Sequence, residues 1–174
     1  MKSVTSEQVV HTDNVLCVLD IETTGFVPGD AEIIEIFILK VVGTEIVDEF
    51  YSLFKPKNEI TNSDIHGITD IKVKDSPGFH EKNNEILKFI KESIVVGHNI
   101  DNFDLEFLNY FLDRPIENKT IDTLKLSRLI LKKKVKDHKL ITLTEYFGIS
   151  PPTHSARADV IATYEVYKKL ISIR

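Results

Sequence analysis

The stretch VLCVLDIETTG, Val15 to Gly25, decides how the rest of the chain is read. Five apolar residues run straight into Asp20, and Ile21, Glu22 and Thr23-Thr24-Gly25 follow. A continuous run this rich in Val and Leu is the pattern of a strand covered on both faces. Side chains alternate along a strand, so Asp20 and Glu22 point to the same side. Two carboxylates side by side at the end of a buried strand repel each other and resist leaving water. A divalent cation is the simplest partner for them, because hard cations take carboxylate oxygens.

The surrounding chain suits such a strand. Its 174 residues amount to one domain's worth, with residues 1–13 polar and expected to be loosely ordered and 14–174 forming a single domain. Hydrophobic content of 42% and charged content of 28% are ordinary for a globular protein. No run approaches the roughly 20 apolar residues needed to cross a membrane, and MKSVTSEQVVHTDN has no long apolar core of a signal peptide. Cys17, the only cysteine, falls inside the strand and reads as a small buried hydrophobe. It excludes an internal disulfide and a multi-cysteine zinc site, and it fits a cytoplasmic setting. The net charge of −5 argues against a surface coated with positive charge for non-specific DNA binding. It does not exclude a nucleic-acid enzyme, since bound cations offset part of an acidic site.

Beyond the turn containing Pro28, Gly29 and Asp30, IIEIFILKVV (33–42) and EIVDEFYSLF (45–54) read as two strands joined at Gly43-Thr44 in an antiparallel hairpin. EITNSDIHGITD carries a short helix capped by Asn62 or Ser63. Apolar spacing then predicts a surface helix over 79–91, a buried strand over 93–99, a helix over 101–112 and a short strand ending at Thr120-Ile121. Helices over 122–133, over 140–147 closed by Gly148, and over 155–170 complete the chain. Strands alternating with helices after a hairpin give a mixed sheet covered by helices.

Two further acids stand where an apolar residue is called for. Asp104 heads a stripe with Phe107, Leu108 and Phe111, and Asp159 heads one with Ala162, Val166, Leu170 and Ile173. Each alone fits a first-turn acid serving its helix dipole, worth roughly 0.3–1 kcal/mol. Three separate segments placing a carboxylate on an inward face weaken that explanation. His154 lies five residues before Asp159, in a Pro-rich loop, where an imidazole suits a proton acceptor for water or a surface cap. Lys132-Lys133-Lys134 with Lys136 and Lys139 form the strong basic run, readable as a guide for a nucleic-acid strand or as a solvated helix end.

DIETTG (20–25), HGIT (66–69), GHNIDNFDLEFL (97–108), IDTLKLSR (121–128) and HSARAD (154–159) occur in that order. Together they resemble the motifs of the histidine-containing DEDD (DEDDh) 3′→5′ exonucleases, the family of the proofreading epsilon subunit or exonuclease domain of bacterial DNA polymerase III. The likeness covers roughly residues 14–171. One departure is that Ile100-Asp101-Asn102 puts three residues, not the usual two, between HN and FD. Of Asp101 and Asp104, Asp104 keeps the FDxxFL pattern and faces inward.

The resemblance implies a ribonuclease-H-like α/β fold with a five-stranded mixed sheet, the second and third strands antiparallel and the first, fourth and fifth parallel. It implies that Asp20, Glu22, Asp104 and Asp159 hold two divalent ions, Mg²⁺ or Mn²⁺ given all-oxygen ligands, roughly 3.5–4 Å apart. Asp20 would bridge them and His154 would take a proton from the attacking water. Thr23, Thr24, Gly25 and His66 are the implied contacts to the terminal nucleotide, although His66 also fits a local cap; Asn99, after the fourth strand, suits a phosphate contact or equally a loop pin. The implied substrate is a nucleic-acid 3′ end, single-stranded DNA before RNA, with nucleoside 5′-monophosphates as products. A polymerase catalytic subunit is the implied protein partner. The rivals are RNA trimming, a non-catalytic binding or docking module, and a purely structural metal site. With no polymerase sequence after Ile171, a free-standing nuclease and an excised domain are both open readings.

Overall fold

The computed structural model describes residues 14–173; the segment 1–13, expected to be loosely ordered, and Arg174 lie outside the described residues. β1 (Val15–Thr23) is the middle strand of a five-stranded sheet. On one side it pairs antiparallel with β2 (Ile33–Val42), which pairs antiparallel with β3 (Glu45–Leu53) at the edge. On the other side it runs parallel to β4 (Ile94–Gly97), which runs parallel to β5 (Thr120–Asp122). The order β3-β2-β1-β4-β5 is the expected mixed arrangement.

Strand periodicity sorts the β1 side chains between two layers. Cys17, Leu19 and Ile21 pack with Ile36, Ile38, Ile86 and Phe107 on one face. Leu16 and Val18 pack with Phe37, Leu39 and Val96 on the other, beneath Ala156, Val160, Tyr164 and Tyr167 of the last helix. That helix, α7 (Ala156–Ser172), spans 17 residues and lies across β1 and β2. Even-numbered β1 positions therefore face α7, which carries Asp20 and Glu22 to that side. The opposite layer holds α3 (Asn83–Phe89) and α4 (Asp104–Phe111). Two single-turn helices, α1 (Ser63–His66) and α2 (Asp70–Val73), lie between β3 and α3 in sequence. α5 (Thr123–Leu131) and α6 (Leu140–Phe147) pack on α7 through Leu131, Leu143, Val166 and Leu170.

Several helices are shorter than their periodicity predicts. The helix expected over 79–91 is a 3₁₀ turn at Phe79–Lys82 followed by α3. The one expected over 101–112 is a 3₁₀ turn at Ile100–Asn102, a break at Phe103 (φ −138°, ψ −76°), and then α4. The break makes Asp104 the first residue of α4 and turns it toward β1. The helix expected to reach Lys133 stops at Leu131, because Lys132 takes φ +52°. The single turn capped at Asn62 or Ser63 is α1, and Asn62 makes no side-chain cap bond. Gly148 ends α6 in the left-handed conformation, φ +65°, as glycine does without steric cost. Among the described residues no helix is long and apolar enough to cross a membrane.

Candidate active site

β1 delivers Asp20 and Glu22 to the α7 face, and the first turn of α7 delivers Asp159. One carboxylate oxygen from each of these three residues lies within 4.8 Å of the others. Asp104 approaches from the other layer: its Oδ1 accepts a hydrogen bond from the Ile21 amide at 3.2 Å. That amide is available because β1 and β4 pair only as far as Val18 and Val96. Asp104 thus fills the opening where the parallel strands part, the position at which open α/β sheets place their ligands. Asp101, the alternative acid, is turned away to Lys125 Nζ at 2.7 Å and Thr120 Oγ1 at 3.1 Å.

The four acids perturb one another. Burial, then Asp104, Glu22, Asp159 and Glu35, hold the Asp20 carboxyl well above its ordinary value. Burial, then Asp159, Glu35 and Asp104, push Glu22 up to about 8. Burial raises Asp104 to about 7 against its backbone hydrogen bonds. Asp159 is raised less, since amides of the preceding loop and the charge of His154 oppose its burial. Among the described residues no Lys or Arg forms an ion pair with any of the four. The donor set is all-oxygen, crowded and uncompensated, which fits hard divalent cations and not zinc-type ligation.

Glu35 is a fifth acid at this site, and no motif singled it out. It pairs across the ladder with Glu22 and shares the α7 face with Phe37 and Leu39. Only 4% exposed, it accepts from the Tyr51 hydroxyl (3.0 Å) and from the Ala156 amide (3.0 Å) at the start of α7. Glu35 therefore ties the helix that carries Asp159 to the strand beside Glu22. The signal was present: Glu35 interrupts IIEIFIL as Asp20 interrupts its own apolar run.

The remaining candidates divide. His154 is exposed, takes φ +55°, and lies beside Asp159 in the loop before α7. The Thr153 amide bonds Asp159 Oδ1 at 2.9 Å, which draws that loop over the acids. Thr23 and Thr24 spend their hydroxyls on their own loop. Thr23 Oγ1 donates to Gly25 O at 2.6 Å, and Thr24 Oγ1 accepts from the Glu32 amide at 2.9 Å. Gly25 is needed for close approach: a Cβ there would stand 3.1 Å from that of Ala31. His66 is buried, and its Nδ1 accepts from the Ile68 amide at 3.1 Å, so the proton of the neutral ring sits on Nε2. Burial lowers its pKa, and Nε2 is a buried donor with no partner among the described residues. Asn99 is not among the acids. It lies in the left-handed region, φ +61°, in a neighbouring pocket with His98, Arg128, His138 and Lys139.

A carboxylate cluster at the parting of parallel strands on a ribonuclease-H-like sheet defines the class as a nuclease fold. Residues 17–167 match the exonuclease family RNase_T, and the chain belongs to that family. It is 35% identical over 175 residues to DNA polymerase III PolC-type of Thermotoga maritima, covering 97% of this chain but 13% of that relative's length. Exonuclease I has a similar fold at TM-score 0.79 and 20% identity, over 93% of this chain and 41% of that one. Exonuclease X, solved with 5′ overhanging duplex DNA, aligns at TM-score 0.70 and 25% identity, over 90% of this chain and 91% of that one.

Proposed function

We propose that residues 14–174 form a metal-dependent 3′→5′ exonuclease of the histidine-containing DEDD type, removing nucleoside 5′-monophosphates from single-stranded DNA ends. The observation that carries this reading is the convergence of Asp20, Glu22, Asp104 and Asp159 with their charge uncompensated. These four would hold two divalent ions, Mg²⁺ or Mn²⁺. When bound, such ions supply Lewis-acid stabilisation of the attacking and leaving oxygens.

The chain's own groups supply the rest. His154, beside Asp159 yet open to solvent, takes the proton from the attacking water. Thr23, Thr24 and Gly25 shape a pinned loop whose backbone lies against the terminal nucleotide. Asn62 Nδ2 supports that loop through Thr23 O at 2.9 Å. His66 Nε2–H, a donor without a partner among the described residues, is offered to the sugar or phosphate of the same nucleotide. The likeness to a PolC-type polymerase III supports proofreading beside a polymerase catalytic chain in the cytoplasm.

The test is a gel of 5′-labelled single-stranded DNA and RNA with Mg²⁺, Mn²⁺ or chelator. Stepwise shortening of DNA from the 3′ end, abolished by chelator and by Asp20→Ala, is the expected result. Preferential loss of RNA would reassign the substrate. Binding without cleavage would favour a docking module, and a metal-dependent melting temperature with no turnover would make the metal structural.

A further inference from the structure

We propose that the pocket lined by His98, Asn99, Arg128, Asp137, His138 and Lys139 is a binding site for the phosphodiester backbone of the strand being degraded, on the 5′ side of the nucleotide removed. The proposal rests on the nuclease reading above.

Position comes first. β4 and β5 run parallel to β1, so their C-terminal ends at Gly97 and Asp122 open on the same edge of the sheet as Asp20 and Glu22. Ile94 and Val96 share the α7 face with Leu16 and Val18, and His98 is the first residue beyond the end of β4. Asn99 continues the link: its amide bonds Asp122 Oδ1 at 3.0 Å, and Asp122 pairs with Gly97 at the ends of β5 and β4. The pocket therefore opens at the same edge of the sheet as the acids. A strand whose 3′ end occupies the acid cluster has only its 5′ side left to lay there.

Charge comes second. Residues 123–140 hold seven of the chain's 22 Lys and Arg and one acid, Asp137, in a protein of net charge −5. Lys125 and Lys136 are paired with Asp101 and Glu145. Arg128 and Lys139, which line the pocket, are exposed and form no ion pair among the described residues. Asp137 turns its Oδ1 onto the Lys139 amide at 3.0 Å.

The walls are fixed before any ligand arrives. His138 Nε2 donates to Lys132 O at 3.1 Å and its Nδ1 meets Ser127 Oγ at 3.1 Å, which fastens the 132–138 loop to α5. His98 Nδ1 meets Thr123 Oγ1 at 2.9 Å, and burial pushes this histidine down to about 4, so it lines the pocket as a neutral ring. A volume of about 380 Å³ accommodates a phosphodiester and adjoining sugar. Among the described residues no Phe, Tyr or Trp lines it, so bases find no ring to stack on there and the positive groups are offered to the backbone.

The test compares Arg128→Ala/Lys139→Ala with the unaltered chain, and with Lys88→Ala/Lys169→Ala as an equal charge change elsewhere. Substrates are a dT oligonucleotide and the p-nitrophenyl ester of thymidine 5′-monophosphate, which has no upstream strand. Each phosphate contact to a single strand contributes about 0.7 to the salt slope. Losing two should raise KM for the oligonucleotide about 25-fold at about 0.1 M salt and flatten its log–log salt dependence by about 1.4. kcat, and turnover of the ester, should stay near the unaltered values, and the control pair should change neither. An unchanged oligonucleotide KM and slope overturns the pocket assignment while the nuclease reading stands. Equal loss on both substrates also overturns it, because the residues then support the acid cluster itself. If the unaltered chain cleaves neither substrate, the nuclease reading falls and takes the pocket with it.

Discussion

Raising the pH of the cation-free protein loads the acid cluster directly. Glu22 moves from an ordinary 4.5 to about 8 on folding, mainly through burial and then through Asp159, Glu35 and Asp104. Asp104 moves from 3.8 to about 7 through burial. Between those limits the folded chain holds protons that the unfolded chain has released, so stability falls as pH rises through the window. At about 1.36 kcal/mol per pH unit, the Glu22 shift alone corresponds to a loss of roughly 5 kcal/mol across it. The acids share the same repulsion, so their contributions do not add and this figure sets the scale for the group. Urea unfolding in chelator at several values between about pH 5 and pH 8 measures it. Glu22→Gln should flatten the decline, and Mn²⁺ added at the alkaline end should restore stability by mass action. A chelator curve that is level or rises over that range would refute the reasoning, since the carboxylates would then ionise at no cost.

His154→Ala should cost roughly 10²- to 10⁴-fold in kcat while melting temperature and Mn²⁺ affinity hold; equal loss of rate and metal affinity would make His154 a ligand. Glu35→Ala removes a charged acceptor from the Ala156 amide and the Tyr51 hydroxyl. Glu35→Gln can serve both, accepting from Ala156 and donating to Tyr51, and it also relieves repulsion. In chelator the Gln variant should be at least as stable as the unaltered chain and about 2–4 kcal/mol more stable than the Ala variant; equal urea midpoints would remove Glu35 from the support of α7. Gly97→Ala places a Cβ 2.8 Å from that of Ile100, a clash inside the core that should lower stability by about 1–3 kcal/mol, read from the urea midpoint.

Legibility tracked how each feature is encoded. The face taken by Asp20 and Glu22 was readable because β1 is apolar throughout and strand alternation has no slack. Glu35 obeys the same rule, but as the lone acid of IIEIFILKVV it has no second carboxylate on its strand to mark it as a site. The 3₁₀ turn before α3 and the break at Phe103 were hidden: 3₁₀ and α turns both bring residues three apart to one side, so Phe79 and Ile100 fit either. The Thr23 and Thr24 hydroxyls were hidden differently, because side-chain bonds to nearby backbone depend on loop conformation that composition does not specify. Asn99 follows β4 in sequence but turns through a left-handed conformation, and so belongs to the basic pocket.

The parting of β1 from β4 leaves one main-chain proton as a native sensor. The Ile21 amide lies in the centre of the sheet, yet its partner is an ionisable side chain, Asp104, and not another strand. Its nitrogen and proton resonances, and its deuterium exchange, will follow whatever happens to that carboxyl. Protonation, ligand capture or a shift of α4 can thus be watched at a single peak, with no label added to the chain.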